Sequence, residues 1–418
     1  MSTVAHRNTS SALGGAVQRA ASAVRAWPWW LQVTALYAAA RLVSACIFAA
    51  AALHQGPNPW FPPKPDYWNF INIWDARWYG QVIASGYPSV LPTDAAGNVQ
   101  ENTWAFYPLF PALAGGLSRL TGLSPAASLT LIAMLAGWGS ALAVYRLFRQ
   151  KAAHAPAIWG VVFFSVFPVS AVLQVPYAEP LSLLLLAWAL LLVVRRRYLW
   201  AIPSVVLLGL SRPVGVPFAA TVGLLLVFRA VAYTRDGRQD SRGAAAHSLR
   251  DLAGLAGLTA AAGVSALAWP ALAWAATGDP QAYTKTETVW RGQDLVPFKP
   301  WFDTGVELFG PVLGLLAPLV FTALFAVMLF LPPVKQLGTE LRLWCACYMG
   351  YLLAFLHPQT STFRMLLPLF PLALGAAFLS RSRAYRGTVV VMFVLLQIVW
   401  IVWLWAWAPL PGGGDYPP

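Results

Sequence analysis

Charged side chains are scarce in this sequence. Asp, Glu, Lys and Arg make up 10% of its 418 residues, whereas soluble globular domains carry roughly 25%. Hydrophobic residues make up 58% of the chain, and the mean hydropathy is +0.60. These values exclude a water-soluble fold, and they predict an all-α, polytopic membrane protein.

Acidic residues are the scarcer of the two charge signs, with 15 Asp and Glu against 28 Lys and Arg and a formal net charge of +13. Such an excess can mark a nucleic-acid-binding protein. Here, however, the basic residues lie in short clusters between apolar runs, where they fix membrane topology. We therefore expect no nucleic-acid partner.

Cysteine is rare, and the common ligand-binding motifs are missing. Cys46, Cys345 and Cys347 lie in apolar runs without metal-ligand spacing or a disulfide framework, so we expect small core residues. The sequence contains no Walker loop and no dinucleotide fingerprint, which leaves a soluble nucleotide donor without an obvious site. It also lacks paired histidines on one helix and an EF-hand loop. No cofactor and no metal site are predicted.

Long apolar runs dominate what is present. Roughly 20 apolar residues cross a bilayer as a helix. On this basis the sequence predicts eleven spans, at 29–53, 124–145, 155–174, 179–194, 199–211, 214–232, 252–277, 309–331, 342–356, 363–380 and 387–409. The short spans 199–211 and 342–356 end beside Ser211-Arg212-Pro213 and His357-Pro358-Gln359. Helices that stop at membrane depth are tolerated where they line a water-filled cavity, so these ends indicate a site.

The distribution of charge sets the predicted orientation. Most basic residues lie on one side of the predicted spans and most acids on the other, which puts the N-terminus in the cytoplasm. The stretch 104–121 is predicted to be an interfacial helix, because a span there would move the basic cluster Arg146, Arg149 and Lys151 outside. The predicted segments are a cytoplasmic tail 1–28, a single transmembrane domain 29–409 with outer loops 54–123 and 277–307 and a cytoplasmic linker 234–250, and an outer tail 410–418.

One acidic residue stands among aromatics in the first outer loop, in Trp74-Asp75-Ala76-Arg77-Trp78-Tyr79-Gly80. Such aromatics favour the membrane–water interface. A carboxylate held among them loses part of its hydration, as a general base at a lipid surface requires. The alternative is an aromatic interfacial belt, with Asp75 as a helix N-cap or as the ion-pair partner of Arg77.

Other charged groups fall at the predicted outer ends of spans, and charges at membrane depth are functional candidates. They are Glu179, Arg212, His357 and Arg364. A structural Arg212–Glu179 ion pair, a snorkelling Arg364 and a hydrogen-bonded core His357 are the alternatives. Arg41, alone in the first span, is expected to reach polar partners inside the bundle. A base near several cations without a nucleotide motif suggests a lipid-phosphate substrate, whose phosphate arginines would hold.

Several motifs together resemble the PIG-V-like mannosyltransferases, the family of the second mannosyltransferase of glycosylphosphatidylinositol synthesis and its bacterial relatives. The resemblance runs from about residue 74 to 371. The motifs that carry it are Trp74-Asp75-Ala76-Arg77-Trp78-Tyr79 with Ala84-Ser85-Gly86-Tyr87, Phe106-Tyr107-Pro108-Leu109-Phe110-Pro111, Pro176-Tyr177-Ala178-Glu179-Pro180, Ser211-Arg212-Pro213-Val214-Gly215 and Thr362-Phe363-Arg364 with Pro368. The chain departs from the family at Pro180, where serine is usual, and in the Arg-Pro-Val-Gly stretch.

The resemblance implies a glycosyltransferase C architecture, a polyprenyl-phosphate-linked mannose donor and inversion at the transferred sugar, with Asp75 as the general base. We expect a glycolipid or lipoglycan acceptor and a site at the outer face of a bacterial plasma membrane, in contact with membrane lipids. The candidate phosphate ligands are Arg212, Arg364 and His357. The candidate substrate-binding residues are Trp74, Arg77, Trp78, Tyr79, Tyr107, Tyr177 and Glu179.

Two alternatives stay open at this point. A transferase of the same architecture would use another polyprenyl-linked sugar or a protein hydroxyl as acceptor. A transporter or flippase of lipid-linked substrates would share the broken helices and the membrane-depth arginines. In the second outer loop, Tyr283, Trp290 and Trp301 would stack on sugars or form an interfacial belt.

Overall fold

The computed structural model describes residues 26–239, 249–291, 295–409 and 418. In this part of the chain the secondary structure is helical, apart from an isolated bridge between Thr93 and Val99. Residues 1–25 of the predicted N-terminal tail, most of the outer tail and 240–248 of the predicted linker lie outside the described residues. The all-α prediction is confirmed.

The α-helices are numbered here in chain order. They are α1 Trp29–Ala52, α2 Tyr67–Ile71, α3 Asp75–Ser85, α4 Leu109–Thr121, α5 Pro125–Phe148, α6 His154–Val166, α7 Glu179–Val194, α8 Tyr198–Gly209, α9 Gly215–Gln239, α10 Leu249–Thr277, α11 Ala282–Arg291, α12 Lys299–Met328, α13 Pro332–Lys335, α14 Gly338–Phe355, α15 Pro371–Leu379 and α16 Arg383–Trp400. Three 3₁₀ segments, Thr103–Ala105, Ser170–Gln174 and Thr360–Leu369, and a π-helical turn, Ile401–Trp405, complete the described elements.

Six of the described helices are long and apolar enough to cross a membrane, and a seventh span arises if 360–369 and α15 are counted as one bent pair. Helices α6, α7 and α8 are apolar but shorter. Every predicted span contains a helix, and the chain is an integral membrane protein, but the predicted count of eleven spans is not confirmed.

Prolines divide two of the predicted spans. The predicted span 155–174 ends as an α-helix at Val166, because Phe167 adopts the extended conformation (ψ 144°) that a following proline favours. Its remainder is the 3₁₀ segment Ser170–Gln174. In 363–380 the chain bends by 76° where α15 begins at Pro371. The segment before the second break, Thr360–Leu369, carries Arg364.

Helix α12 begins earlier than predicted, at Lys299, and kinks at Gly310. Gly310 has a φ of 77°, a conformation that glycine adopts without steric cost, and Pro311 follows it. The two limbs touch at Gly305 and Gly314, where neither glycine leaves space for a Cβ. The apolar segment is therefore not a straight rod.

The stretch 104–121 folds as the end of the 3₁₀ segment Thr103–Ala105 followed by α4, which has 13 residues. At 1.5 Å per residue α4 is about 20 Å long, shorter than the roughly 30 Å hydrocarbon core. The stretch is thus helical over most of its length, and its interfacial location stays a prediction.

Two expectations about single buried groups have different outcomes. Arg41 is buried in α1 and donates hydrogen bonds to the carbonyl oxygens of Ser165 and Ser170, as expected. Cys345 is buried and Cys347 is half-buried, but Cys46 is exposed on α1. The core assignment of Cys46 was wrong, because successive residues of a helix point to different faces, and Cys46 lies on an exposed face of α1.

Close packing between α8 and α10 depends on Gly209, at the end of α8. A Cβ there would lie 2.7 Å from the backbone carbonyl oxygen of Ser265 on α10. Because this backbone cannot swing aside, we expect Gly209→Ala to lower the free energy of unfolding by about 1–3 kcal/mol, measured by thermal unfolding in detergent. The control is Gly223→Ala, where the nearest atom is Thr259 Cγ2 at 3.6 Å. Equal effects of the two substitutions would contradict this explanation.

Candidate functional site

Four charged side chains from distant parts of the chain meet in one cluster. Arg364 Nη1 lies 2.6 Å from Asp75 Oδ2 and 2.8 Å from Glu179 Oε1, and Arg364 Nη2 lies 3.4 Å from Asp75 Oδ1. Arg212 Nη1 lies 3.0 Å from Glu179 Oε1. One Glu179 oxygen therefore bridges both arginines. We call these four residues the charged cluster.

The charged cluster is buried and electrically balanced. The exposed fractions of the side chains are 12% for Asp75, 6% for Glu179, 15% for Arg212 and 7% for Arg364. Removing charges from water is costly unless they are paired and hydrogen-bonded, and here two anions face two cations. Arg364 is therefore not a snorkelling residue at the interface, and the Arg212–Glu179 ion pair considered as an alternative is present.

The local backbone explains where Asp75 lies. Asp75 is the first residue of α3, and Trp74 precedes it with a φ of 58°, a conformation that bulky residues seldom adopt. Trp74 is held there by a hydrogen bond from its Nε1 to the Trp405 carbonyl oxygen (2.8 Å) and by edge-to-face packing on Trp60 (5.0 Å). Asp75 is neither the N-cap nor the partner of Arg77, because its carboxylate pairs with Arg364.

Glu179 is the first residue of α7, where a carboxylate interacts favourably with the helix dipole. Pro180 occupies the first turn, where its missing N–H costs nothing. Tyr177, just before this helix, is fully buried, and Arg364 lies over its ring at 5.0 Å from the centroid. The Tyr177 hydroxyl also accepts the Asp75 backbone N–H (3.4 Å). Tyr177 thus lies behind the charged cluster rather than on an open wall.

Both arginines come from breaks between helices. Arg212 lies between α8 and α9, beside Pro213. Arg364 lies in the 3₁₀ segment Thr360–Leu369, whose start is closed by reciprocal hydrogen bonds between Gln359 and Thr362. The predicted helix end at Ser211-Arg212-Pro213 thus contributes Arg212 to the charged cluster, and the chain that follows His357-Pro358-Gln359 contributes Arg364.

A cavity of about 1580 Å³ opens beside the charged cluster. All four cluster residues line it, as do the predicted residues Trp74, Arg77, Trp78, Tyr79, Tyr107 and the half-buried His357. Tyr348 and Tyr351 also line the cavity but were not predicted as site residues. They are three residues apart on α14 and so share one helix face. This spacing can be seen in the sequence and is the signal that could have identified them.

Aromatic rings form one wall of the cavity. Trp78 stacks on Phe106 at 5.5 Å, and Trp290 meets Trp78 edge-on at 5.1 Å. The Tyr107 and Tyr283 hydroxyls lie 3.0 Å apart, and burial raises the pKa of both phenols well above the usual value. Both phenols are therefore neutral at physiological pH.

Two other predicted aromatic residues, Tyr79 and Trp301, differ from these wall residues in their surroundings. Tyr79 is 2% exposed and packs edge-on against Phe106 (5.3 Å) and Phe110 (5.0 Å), and burial raises the pKa of its phenol. Trp301 does not line the cavity, and its Nε1 donates to the Leu352 carbonyl oxygen (3.1 Å). Tyr79 is therefore a packed core ring, whereas Trp301 stacks on Phe321 (6.3 Å) outside the cavity.

The arginines have unused hydrogen-bonding capacity. Arg364 Nε is buried without a hydrogen-bond partner among the described residues, as is Glu179 Oε2. Arg212 Nη2 has the Met365 sulfur as its partner (3.0 Å), and a thioether is a weak acceptor. Within the same residues, no group of three or more His, Cys, Asp and Glu side chains is arranged to hold a metal ion. The two arginines can therefore donate hydrogen bonds to the oxygen atoms of a bound anion.

No protein-family model matches the chain, and no curated protein sequence matches it significantly. The structure is similar to solved structures of an oligosaccharyltransferase from Archaeoglobus fulgidus. Against the apo form the identity is 13% and the TM-score 0.46, with 90% of this chain and 56% of that chain covered. Against AglB from this organism in complex with an inhibitory peptide and a dolichol-phosphate, the identity is 13% and the TM-score 0.42, with 88% and 55% covered. The chain spans about half the length of these structures.

Proposed function

We propose that this chain is an inverting membrane glycosyltransferase of the glycosyltransferase C architecture. It transfers a sugar, with mannose as the first candidate, from polyprenyl phosphate to a hydroxyl group of a glycolipid or lipoglycan at the outer face of a bacterial plasma membrane. The observation that carries this proposal is the charged cluster at the wall of a 1580 Å³ cavity in an apolar helical protein. Transfer from a sugar phosphate needs a base and cations for the leaving phosphate, and the cluster contains both.

The donor phosphate binds at Arg212 and Arg364 in this proposal. Both guanidinium groups are buried, line the cavity and have donors that are unpaired or poorly paired. Phosphate oxygens are strong acceptors for such donors. His357 lines the same cavity and is a third candidate ligand for the phosphate. The polyprenyl chain lies along the apolar helices.

Asp75 acts as the general base. The acceptor oxygen attacks the anomeric carbon from the face opposite the phosphate, and its proton passes to the Asp75 carboxylate. The bond between the anomeric carbon and the phosphate oxygen breaks, and its electron pair leaves with the polyprenyl phosphate. One displacement inverts the anomeric centre and needs no covalent enzyme intermediate.

The acceptor enters along the aromatic wall. Trp78, Phe106 and Trp290 present ring surfaces, and Tyr107, which lines the same cavity, provides a polar contact. Ligand pockets commonly combine apolar walls with a few fixed polar groups. This wall supports an acceptor with a sugar near the reacting hydroxyl, rather than a purely apolar lipid.

The test is a transfer assay with purified protein in nanodiscs, radiolabelled polyprenyl-phosphate mannose and a membrane lipid extract. We expect label to appear in a new lipid, whose mass and linkage define the acceptor. Label that moves only from another polyprenyl-linked sugar would keep the reaction type and replace mannose. No transfer from any of these donors, together with movement of a fluorescent lipid-linked sugar across liposomes, would replace the transferase with a flippase.

A further inference from the structure

We propose that Arg364 exchanges partners during the reaction, leaving the Asp75 carboxylate for the phosphate of the departing polyprenyl phosphate. This inference rests on the proposed function. It assigns to one guanidinium group two successive tasks, first covering the base and then binding the leaving group, and it couples the two substrates of the reaction.

The geometry creates the need for such an exchange. Arg364 contacts both oxygens of Asp75, at 2.6 Å and 3.4 Å. Lone pairs that face a guanidinium cannot at the same time receive a proton from the acceptor hydroxyl. Of the roughly four lone-pair sites of the carboxylate, loosening of this contact in the reactive complex frees the two that face Arg364 for the proton.

The shift of charge during the reaction favours movement of Arg364 towards the phosphate. Before transfer Asp75 carries one negative charge, and the donor, a phosphodiester, also carries one. After transfer the proton is on Asp75, which is neutral, and the polyprenyl phosphate carries two negative charges. One unit of negative charge has passed from the base to the phosphate. In a buried site with weak screening, a cation between them is stabilised by following that charge.

Glu179 keeps Arg364 in place while the partner changes. Its Oε1 accepts from Nη1 of Arg364 at 2.8 Å and from Nη1 of Arg212 at 3.0 Å. The side chain is 6% exposed and begins a helix, so it is fixed. Arg364 Nε, which has no hydrogen-bond partner among the described residues, supplies a further donor for a phosphate oxygen. Arg364 can therefore stay bound to Glu179 while it leaves Asp75 and donates to the phosphate.

The test measures the affinity for farnesyl phosphate, a short isoprenoid phosphomonoester, by calorimetry on protein in nanodiscs. Asp75→Asn removes the charge that competes for Arg364 and keeps the shape of the side chain. We expect this variant to bind farnesyl phosphate roughly tenfold more tightly than wild type, within the usual range of coupling between two sites. Asp66→Asn, the same change at an exposed position of the same loop, should bind like wild type. Farnesol, which lacks the phosphate, should not distinguish the proteins.

The other outcomes separate the inference from the proposed function. If wild type binds farnesyl phosphate and Asp75→Asn binds it equally or more weakly, the exchange is wrong, while a phosphate site consistent with the proposed function remains. If neither protein binds it, both proposals fail. Asp75→Ser makes the same comparison if the asparagine variant does not fold. Loss of the Asp75 charge by itself also favours an anion, so Glu179→Gln is the matched comparison: it removes a negative charge from the same cluster but also the anchor of Arg364. Equal tightening in Glu179→Gln would show simple loss of repulsion and would overturn the exchange.

Discussion

Asp75→Asn is expected to lower the rate of sugar transfer by about 10²–10⁴-fold, the usual contribution of a general base. Asparagine has nearly the shape of aspartate but cannot take up the proton of the acceptor hydroxyl. Its side-chain oxygen still accepts a hydrogen bond from Arg364, so the protein should fold and bind its donor. The measurement is single-turnover transfer from radiolabelled polyprenyl-phosphate sugar at saturating acceptor, with donor binding determined in parallel.

Asp66→Asn is the matched control for this experiment. Asp66 lies in the same loop, is exposed and caps α2 by accepting the Asn69 backbone N–H at 2.8 Å. Asparagine caps helices about as well as aspartate, so the change should leave both transfer and stability unaltered. Wild-type turnover in Asp75→Asn would show that Asp75 is not the base.

Arg364→Gln is expected to abolish transfer and also to destabilise the protein. The substitution leaves the buried carboxylates of Asp75 and Glu179 without the cation that both contact. Breaking a buried ion pair by removing one partner costs about 3–5 kcal/mol, whereas most single substitutions cost less. Unfolding in detergent, followed by temperature or denaturant, measures the loss.

The double variant Asp75→Asn, Arg364→Gln separates the two effects. Because it removes one anion together with the cation, its stability should recover part of the loss caused by Arg364→Gln alone. Transfer should stay absent, since both the base and a phosphate ligand are missing. Residues in direct contact show such non-additive energies, and distant residues do not. Strictly additive losses of stability would contradict the short Asp75–Arg364 contact.

Tertiary structure also corrected expectations that were local in sequence. Arg77, two residues from Asp75, was a natural ion-pair partner, but the partner is Arg364, 289 residues away. Tyr177 lies in a motif of the predicted site, yet it is fully buried beneath Arg364. Neither result follows from spacing along the chain, because each depends on how α3, α7 and the segment 360–369 approach one another.

The sequence by itself determined the class of the protein and many of the residues of its candidate site. A run of about 20 apolar residues can cross lipid as a helix that satisfies its own backbone polar groups, and charges kept at the ends of such helices have to be paired or functional. Glu179, Arg212 and Arg364 were recognised in this way, and Asp75 was recognised by the aromatic residues around it in the first loop. Only the tertiary structure decided that they form one neutral cluster, with Arg364 between two carboxylates and the cavity beside it. Composition and periodicity report the surroundings of each residue, whereas pairing depends on distances between segments that are far apart in the chain.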